Sequence, residues 1–363
     1  MKSSQYLFLN GIRGWASFIV LLGHLAVGLF AFTIPAYGNL KLLTDGSFAI
    51  LVFFILSGFV LSNSHLETKD KILLSFISRY FRLFFPIAIT SGIAYILLKK
   101  GLMFNHQVGS QIEAMTGIVG HKEWVGNFYS FTPNILGYLK FIFYDVFFNY
   151  HGSLSYNPPL WTMSRELIGS YLIYLYIFFF HHQKKSYLRS SLLALALLFI
   201  KNTIGCFMLG YIAARIFNDY LWIKKRYVTI NYLSVLTLIV SLYIINYARP
   251  DNGGIVGVLA FIIILSIGFS DILRKIFESK ISLFLGQISF KLYLIHMPII
   301  CSLTSYFYLN TYITSTNKTI TANVIILATI LICIFSAWLL MPFERLAIEY
   351  SKKIAKKLLN IIN

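Results

Sequence analysis

Charged residues are scarce in this chain: they make up 12% of its 363 residues, whereas a soluble domain carries about 25%. Hydrophobic residues make up 58%, aromatic residues 17%, and the mean hydropathy is +0.73. A soluble core of this size cannot bury so much apolar surface, so a water-soluble globular protein is excluded. Disordered, collagen-like and coiled-coil chains are excluded too, because they need the charge and polarity that are missing here.

Cysteine is also rare. Cys206, Cys301 and Cys333 lie in apolar stretches with no short spacing between them. This arrangement excludes a disulfide scaffold and a zinc knuckle. We expect no bound metal and no resident cofactor.

Acidic residues are few, 13 against 31 Lys and Arg, which gives a formal net charge of +18. A nucleic-acid-binding protein would concentrate such charge on a polar basic face. Here the basic residues form short clusters between long apolar runs, which is typical of a polytopic membrane protein with basic cytoplasmic loops. We therefore expect membrane lipid and an anionic substrate as partners, and no nucleic acid.

The apolar runs predict an all-α, polytopic integral membrane protein, since about 20 residues of helix cross the hydrocarbon layer. About ten transmembrane helices are expected, at 7–31, 46–62, 83–98, 167–181, 190–200, 203–218, 228–247, 254–270, 288–308 and 320–341. The runs 190–200 and 203–218, interrupted by Lys201 and Asn202, are alternatively one bent helix. The stretch 135–150 carries Lys140 and Asp145 and is interpreted as an interfacial or re-entrant helix.

The basic residues also predict the orientation. With the N-terminus in the cytoplasm, the inside segments hold 20 Lys and Arg and the outside segments hold 8. This bias favours two cytoplasmic termini. In residues 342–363, apolar residues at helical spacing accompany four lysines, which predicts a basic amphipathic tail on the anionic inner leaflet; these are Lys352, Lys353, Lys356 and Lys357. The chain is thus expected to comprise a transmembrane domain, 1–341, and a cytoplasmic tail, 342–363.

Arg13 and His24 are the most informative polar residues of the first span. Eleven residues of helix rise about 16 Å and return the side chain to nearly the same face. The pair suits a long ligand with phosphates at one end and a reactive group at the other, which is the shape of acyl-coenzyme A. Arg13 would hold the donor, and His24 would accept the proton of an attacking hydroxyl. The alternatives are a snorkelling arginine and a histidine bonded to a neighbouring helix.

Glu166 follows Pro158 and Pro159 and the interfacial Trp161, and we expect the fourth span to begin near it. It would then lie at the depth of His24 and support either the imidazole or the acceptor, with Trp161 also on the acceptor side. The alternative is an ion pair with Arg165 at the start of the helix.

Arg79 and Arg82 lie three residues apart at the cytoplasmic end of the third span. They are interpreted as ligands of the coenzyme A phosphates, or alternatively as ordinary positive-inside residues. In the ninth span, Lys291 and His296 are expected to line one substrate cavity, although His296 could instead bond backbone freed by Pro298. In the second span, Ser57 and Gly58 are interpreted as a close helix contact.

These motifs together resemble acyltransferase family 3, the integral membrane O-acyltransferases that modify bacterial surface polysaccharides. The matching segments follow the family's order along nearly the whole chain: Arg13-x10-His24; FFILSGFVLS at 53–62; Arg79, Arg82 and Pro86; LWTMSRE, with Glu166 on the family's glutamate; ISFKLYLIHMP; and PFERLAIEY, with Glu344 as its acid. Arg165, Leu167 and Lys291 depart from the family pattern.

The resemblance implies a membrane acyltransferase of the bacterial inner membrane. It would move an acyl group, most simply acetyl, from cytoplasmic acyl-CoA to a hydroxyl of a lipopolysaccharide or another surface glycan. A transporter or flippase of a lipid-linked sugar is the alternative, because it also needs polar groups at mid-membrane and basic inner loops.

Overall fold

The computed structural model describes residues 6–63, 68–117, 125–180, 186–220, 228–248 and 252–362. Within these ranges the chain is helical and contains no strand, which confirms the all-α prediction. Parts of the predicted loops fall outside them, namely 64–67, 118–124, 181–185, 221–227 and 249–251.

The α-helices are α1 (Leu7–Leu22), α2 (Gly46–Ser62), α3 (Lys69–Lys99), α4 (Asn105–Thr116), α5 (Ile135–Lys140), α6 (Val146–Phe148), α7 (Trp161–Phe180), α8 (Ser186–Tyr220), α9 (Val228–Tyr243), α10 (Gly253–Phe269), α11 (Asp271–Phe277), α12 (Lys280–Ile299), α13 (Ser305–Phe307), α14 (Lys318–Leu339) and α15 (Met341–Ile362). Segments of π-helix lie at Gly23–Phe30, Phe141–Asp145, Ile244–Ala248, Ile300–Thr304 and Tyr308–Tyr312, and 3₁₀ turns lie at Pro35–Thr44, Gly152–Leu154 and Pro158–Leu160.

Six helical segments of the described chain are long and apolar enough to cross a membrane, and the pair α10–α11, bent by 101°, makes a seventh if it is one broken span and not a re-entrant loop. The six are Leu7–Phe30, Pro35–Ser62, Lys69–Lys99, Asn231–Ala248, Lys280–Tyr312 and Lys318–Asn360. The chain is thus a multi-pass membrane protein, but the predicted count of ten differs from this six or seven. The spans predicted at 167–181, 190–200 and 203–218 have no counterpart in the count.

The last two of these predicted spans form the single long helix α8, as the alternative interpretation proposed. A Cβ added to Gly205 would lie 2.8 Å from the backbone nitrogen of Leu198, seven residues earlier. Seven residues of straight helix rise about 10 Å, so α8 bends sharply between the two. Its first arm, Tyr187–Ile200, is therefore short for a span.

Helices α1 and α12 form the central contact of the fold. A Cβ on Gly14 would lie 2.5 Å from the Gly286 backbone nitrogen, so the missing side chains allow the two backbones to touch. Gly14 contacts Gly286, and ten residues later on each helix His24 contacts His296. Residue numbers increase in the same direction along α1 and α12 from one contact to the next, so the two helices run parallel.

This parallel alignment constrains the topology. Two parallel membrane-crossing helices need an odd number of crossings between them. Length and apolarity count four between α1 and α12, namely α2, α3, α9 and α10. If the bent pair α10–α11 is one span, at least one further crossing is made by α7 or by an arm of α8, whereas with that pair as a re-entrant loop three crossings lie between and the number is already odd.

The predicted tail is the helix α15. Its small residues Ala347, Ser351 and Ala355 are buried at four-residue spacing, and α15 packs against α3. The four tail lysines are exposed. The tail is therefore an amphipathic helix, as expected. Its position on the inner leaflet and the domain boundary at 341 stay predictions.

Candidate active site

His24 and His296 are hydrogen-bonded to each other across the α1–α12 contact. His24 lies at the start of the π-helical segment that continues α1, and its Nδ1 is 2.8 Å from Nε2 of His296. The rings are parallel within 4°, and their centroids are 5.0 Å apart. The centroid distance exceeds the N···N distance by about one ring diameter, so the rings meet edge to edge, which is the geometry of a good hydrogen bond.

His24 lines an open cavity of about 1070 Å³, which we call the histidine cavity. Trp161, Lys41 and Asp45 also line it, together with Pro158 and Pro159. The cavity is large enough for a substrate of several hundred daltons. Residues predicted for catalysis and for the acceptor, His24 and Trp161, thus share one cavity, whereas His296 is fully buried behind His24.

A second cavity, of about 160 Å³, lies among charged side chains and is called here the arginine cavity. Its lining includes Arg13, Arg79 and Arg82 together with the carboxylates of Glu166 and Glu344. These five predicted or family-matched residues come from α1, α3, α7 and α15. Tertiary packing therefore brings together groups that are far apart in the sequence.

The Glu166 carboxylate is held inside the arginine cavity by two partners, Arg79 and Ser57. Arg79 Nη2 forms an ion pair with its Oε1, and the Ser57 hydroxyl donates to the same oxygen. Arg79 Nη2 also donates to Ser57 Oγ at 3.1 Å, and its Nε donates to Ser170 Oγ at 2.9 Å. The side chains of Arg79 and Glu166 are only 10% and 13% exposed, so the pair is a desolvated one.

This placement corrects the expected position of Glu166. Helix α7 begins at Trp161, six residues before the predicted span, directly after a 3₁₀ turn that starts at Pro158. Glu166 therefore lies more than one helical turn inside α7, beside Arg79 and not beside His24. The alternative ion pair with Arg165 is also absent from the described contacts, since Arg165 donates to the Trp161 carbonyl and stacks on its indole.

Arg13 and Arg82 are the two cations of the arginine cavity that form no ion pair with a carboxylate of the described residues. Arg13 Nη2 donates to the Gly286 carbonyl at 3.1 Å, and its buried Nε has no hydrogen-bond partner among the described residues. Arg82 lines the cavity without a hydrogen bond or ion pair in the described part of the chain. Guanidinium groups without a carboxylate partner favour an anionic ligand such as a phosphate.

Neither Lys291 nor His296 lines the histidine cavity or the arginine cavity. The Lys291 ammonium forms an ion pair with Glu344 and donates to the Gln287 carbonyl. Five residues of helix turn by about 140°, so the two side chains leave α12 on different faces. Helical spacing alone predicts this separation, and the expected common substrate cavity of Lys291 and His296 is corrected accordingly.

The two cavities adjoin at Tyr293 and Ile50, which line both of them. The Tyr293 hydroxyl donates to the Pro159 carbonyl at 2.6 Å and lies 2.8 Å from the Thr162 hydroxyl. Tyr293 is buried, and its ring lies 5.9 Å from the ring of His296. The arginine cavity and the histidine cavity are thus separated by the Ile50 side chain and the hydrogen-bonded phenol of Tyr293.

The proline in α12 shows how the local backbone is satisfied. Pro298 has no N–H, so the carbonyl of Leu294 lacks its helical partner, and Asn157 Nδ2 donates to that carbonyl at 2.7 Å. His296 donates to other carbonyls, at 2.7 Å to Tyr293 and at 3.3 Å to Leu292. His296 thus bonds backbone near the proline, but the freed carbonyl itself belongs to Asn157.

Sequence reasoning missed the polar roles of Ser57 and of the pair formed by Tyr293 and Thr162. The sequence predicts a helix contact for both Ser57 and Gly58. The Ser57 hydroxyl instead contacts Glu166, while Gly58 packs directly against the Phe207 backbone. A serine in the middle of an apolar span was the available signal. Within the described residues no group of three His, Cys, Asp or Glu side chains is placed to hold a metal, and the expectation of no metal stays a prediction.

The fold and the two cavities define a class: a multi-pass membrane protein with an anion site beside a chamber that contains an imidazole. Comparison with known families places it further. Residues 6–341 match the model of the acyltransferase 3 family, described as an acyltransferase domain, so the chain belongs to this family. No curated protein and no solved structure gives a match. The predicted family is thereby confirmed, and the protein is a membrane acyltransferase.

Proposed function

We propose that the protein moves an acyl group, most simply acetyl, from acyl-CoA to a hydroxyl of a surface polysaccharide or lipopolysaccharide sugar. The observation that carries this proposal is the position of His24, which lines a large cavity next to a small, arginine-lined one. A thioester donor with phosphates at one end and an alcohol acceptor need such a pair of chambers.

The arginine cavity suits the donor phosphates. Glu166 neutralises Arg79, and Glu344 neutralises Lys291, which leaves Arg13 and Arg82 for an incoming anion. Since 11 residues of helix rise about 16 Å, an extended pantetheine arm from Arg13 reaches the level of His24. The arm would pass Tyr293, which stands between the two cavities.

In the transfer step, the acceptor hydroxyl gives its proton to His24 while its oxygen attacks the thioester carbonyl carbon. The C–O bond forms, the C–S bond breaks, and the proton held by His24 goes to the leaving coenzyme A thiolate. The products are an ester and free coenzyme A. A positioned general base of this kind contributes about 10²–10⁴-fold to the rate.

The acceptor would occupy the histidine cavity, whose lining includes Trp161, a side chain suited to stacking on a sugar ring. The basic residues that predict cytoplasmic termini put the donor on the inner side of the bacterial cytoplasmic membrane and the acceptor toward the outer side. Membrane lipid would surround the apolar helices and contact the basic tail.

The decisive experiment incubates purified full-length protein with labelled acetyl-CoA and compares surface glycan, by mass spectrometry, from cells with and without the protein. His24→Ala is expected to abolish acetylation without lowering the amount of protein in the membrane. His106→Ala is the matched control, because His106 is exposed on α4 and lines neither cavity. Full activity of His24→Ala would refute the assignment, and a transporter or flippase would form no ester.

A further inference from the structure

The hydrogen bonds of His296 fix the position of its own proton. Its Nδ1 lies 2.7 Å from the Tyr293 carbonyl and 3.3 Å from the Leu292 carbonyl. Carbonyl oxygens only accept hydrogen bonds, so this nitrogen carries a hydrogen. A charge on a fully buried imidazole costs several kcal/mol of lost hydration unless it is paired, so His296 is neutral and its Nε2 carries a lone pair.

The proton on His24 follows from the same reasoning. His24 Nδ1 lies 2.8 Å from Nε2 of His296, which can only accept. Therefore His24 Nδ1 carries the hydrogen and donates it, and His24 Nε2 is the nitrogen with the lone pair. Which nitrogen of a histidine acts as a base is set by the bond that the other one makes.

We propose that His296 is a positioning residue that holds His24 in the tautomer able to accept a proton at Nε2. The chain of bonds runs from the Tyr293 carbonyl through His296 to His24, and each member fixes the next. This inference rests on the proposed role of His24 as a base, and it assigns His296 to the catalytic imidazole and not to the substrate.

The helix contact supports this role. Gly14 and Gly286 set the distance between α1 and α12 by backbone contact, and both histidines lie ten residues further along their helices. Parallel rings meeting edge to edge leave His24 little freedom to rotate. A carboxylate partner, by contrast, would stabilise the imidazolium; the neutral partner favours a base that passes its proton on.

Two amide variants separate positioning from packing. In His296→Gln, the amide reaches the place of Nε2, where its oxygen accepts the bond from His24. In His296→Asn, the shorter amide reaches the place of Nδ1, so the backbone bond is kept and the acceptor for His24 is lost. We expect kcat of His296→Gln to stay within about tenfold of the wild type and kcat of His296→Asn to fall about 100-fold or more, with KM for acetyl-CoA unchanged in both.

A direct readout is the ¹⁵N NMR spectrum of the full-length protein in lipid vesicles, labelled at its histidine rings, with the His24 signals identified by their loss in His24→Gln. The wild type and His296→Gln should show His24 protonated at Nδ1 only, and His296→Asn should show the other tautomer. An Nε2-protonated His24 in the wild type, or equal activity and equal spectra of the Asn and Gln variants, would overturn the proposal. Because the spectrum needs no substrate, it tests the tautomer even if the acyl transfer itself is disproved.

Discussion

The arginine cavity and the histidine cavity lie next to each other, yet they handle polarity in opposite ways. Three guanidinium groups and two carboxylates line the first, and these five groups come from four helices. At the wall of the second, the neutral ring of His24 is hydrogen-bonded to the neutral ring of His296 buried behind it, which in turn donates to a backbone carbonyl. An ionic lining suits the binding of an anion. A neutral His24–His296 pair suits proton transfer, because a neutral partner does not stabilise protonated His24 so strongly that it keeps the proton.

The difference also appears in how each region is held. The charged cluster depends on long side chains that compensate one another, so the loss of one leaves its partner unpaired. The two histidines depend on the backbone contact of α1 and α12, so the separation of two helices decides their geometry. Variants of each kind should therefore fail in different ways.

The largest effect is expected from Gly14→Val, which acts on the helix contact. The new side chain would meet the Gly286 nitrogen at 2.5 Å and the Leu285 carbonyl carbon at 2.7 Å. Backbone cannot yield as a side chain can, so we expect a loss of stability of more than about 3 kcal/mol and no acetylation. Thermal unfolding in detergent measures the first and labelled acetyl-CoA the second. Gly46→Ala is the control, since its Cβ would meet nothing within 4 Å; equal melting temperatures for both variants would contradict the proposed contact.

A smaller effect is expected when the ionic cluster loses one partner. Glu166→Gln leaves the guanidinium of Arg79 desolvated and unpaired, which should lower the stability by about 3 kcal/mol. Adding Arg79→Met removes the unpaired guanidinium charge and should restore part of the lost stability. The effects of the two substitutions on stability should therefore not be additive. Thermal unfolding of the wild type, both single variants and the double variant checks this. Strict additivity would mean that the two side chains do not interact.

The smallest effect is expected at Arg82, which lines the arginine cavity without an ionic partner in the described residues. Arg82→Met should raise KM for acetyl-CoA about tenfold, or about 1.4 kcal/mol, and leave kcat nearly unchanged. Steady-state kinetics of Arg82→Met should be measured beside those of His24 variants. The His24 variants should lose kcat and keep the wild-type KM, which is the opposite pattern. Lys71→Met on the same helix is the matched control, and a similar KM for both α3 variants would argue against a phosphate site at Arg82.

The sequence allows some of these residues to be placed and not others. Helical periodicity puts Arg13 and His24 on one face of α1, and Arg79 and Arg82 on one face of α3, because such relations lie within a single helix. His296 is 272 residues from His24, and no local pattern predicts which two of many helices meet. The error at Glu166 has a local cause, since helix α7 begins directly after the proline turn and carries the carboxylate deeper than hydropathy suggests.

The predicted count of ten spans differs from the six or seven that length and apolarity identify in the described chain, and the difference lies at α7 and α8. Hydropathy detects lipid-facing apolar stretches, but α7 carries Arg165 and Glu166 in its first turns, and α8 is divided by a sharp bend. Charged side chains and helix bends of this kind are tolerated in the protein interior, where neighbouring helices hydrogen-bond the polar groups. The count by length and composition therefore omits α7 and both arms of α8, which the ten predicted spans included.

The parallel α1–α12 pair also has a consequence for biogenesis. During synthesis the ribosome releases α1 early, while the helix that completes its polar face is translated only near the end of the chain. In that interval Arg13 and His24 would meet lipid or translocation machinery in place of Gly286 and His296, at a cost of several kcal/mol for a naked charge in hydrocarbon. A nascent chain truncated before α12 should consequently remain bound to an insertion factor and should be a preferred target of membrane proteases.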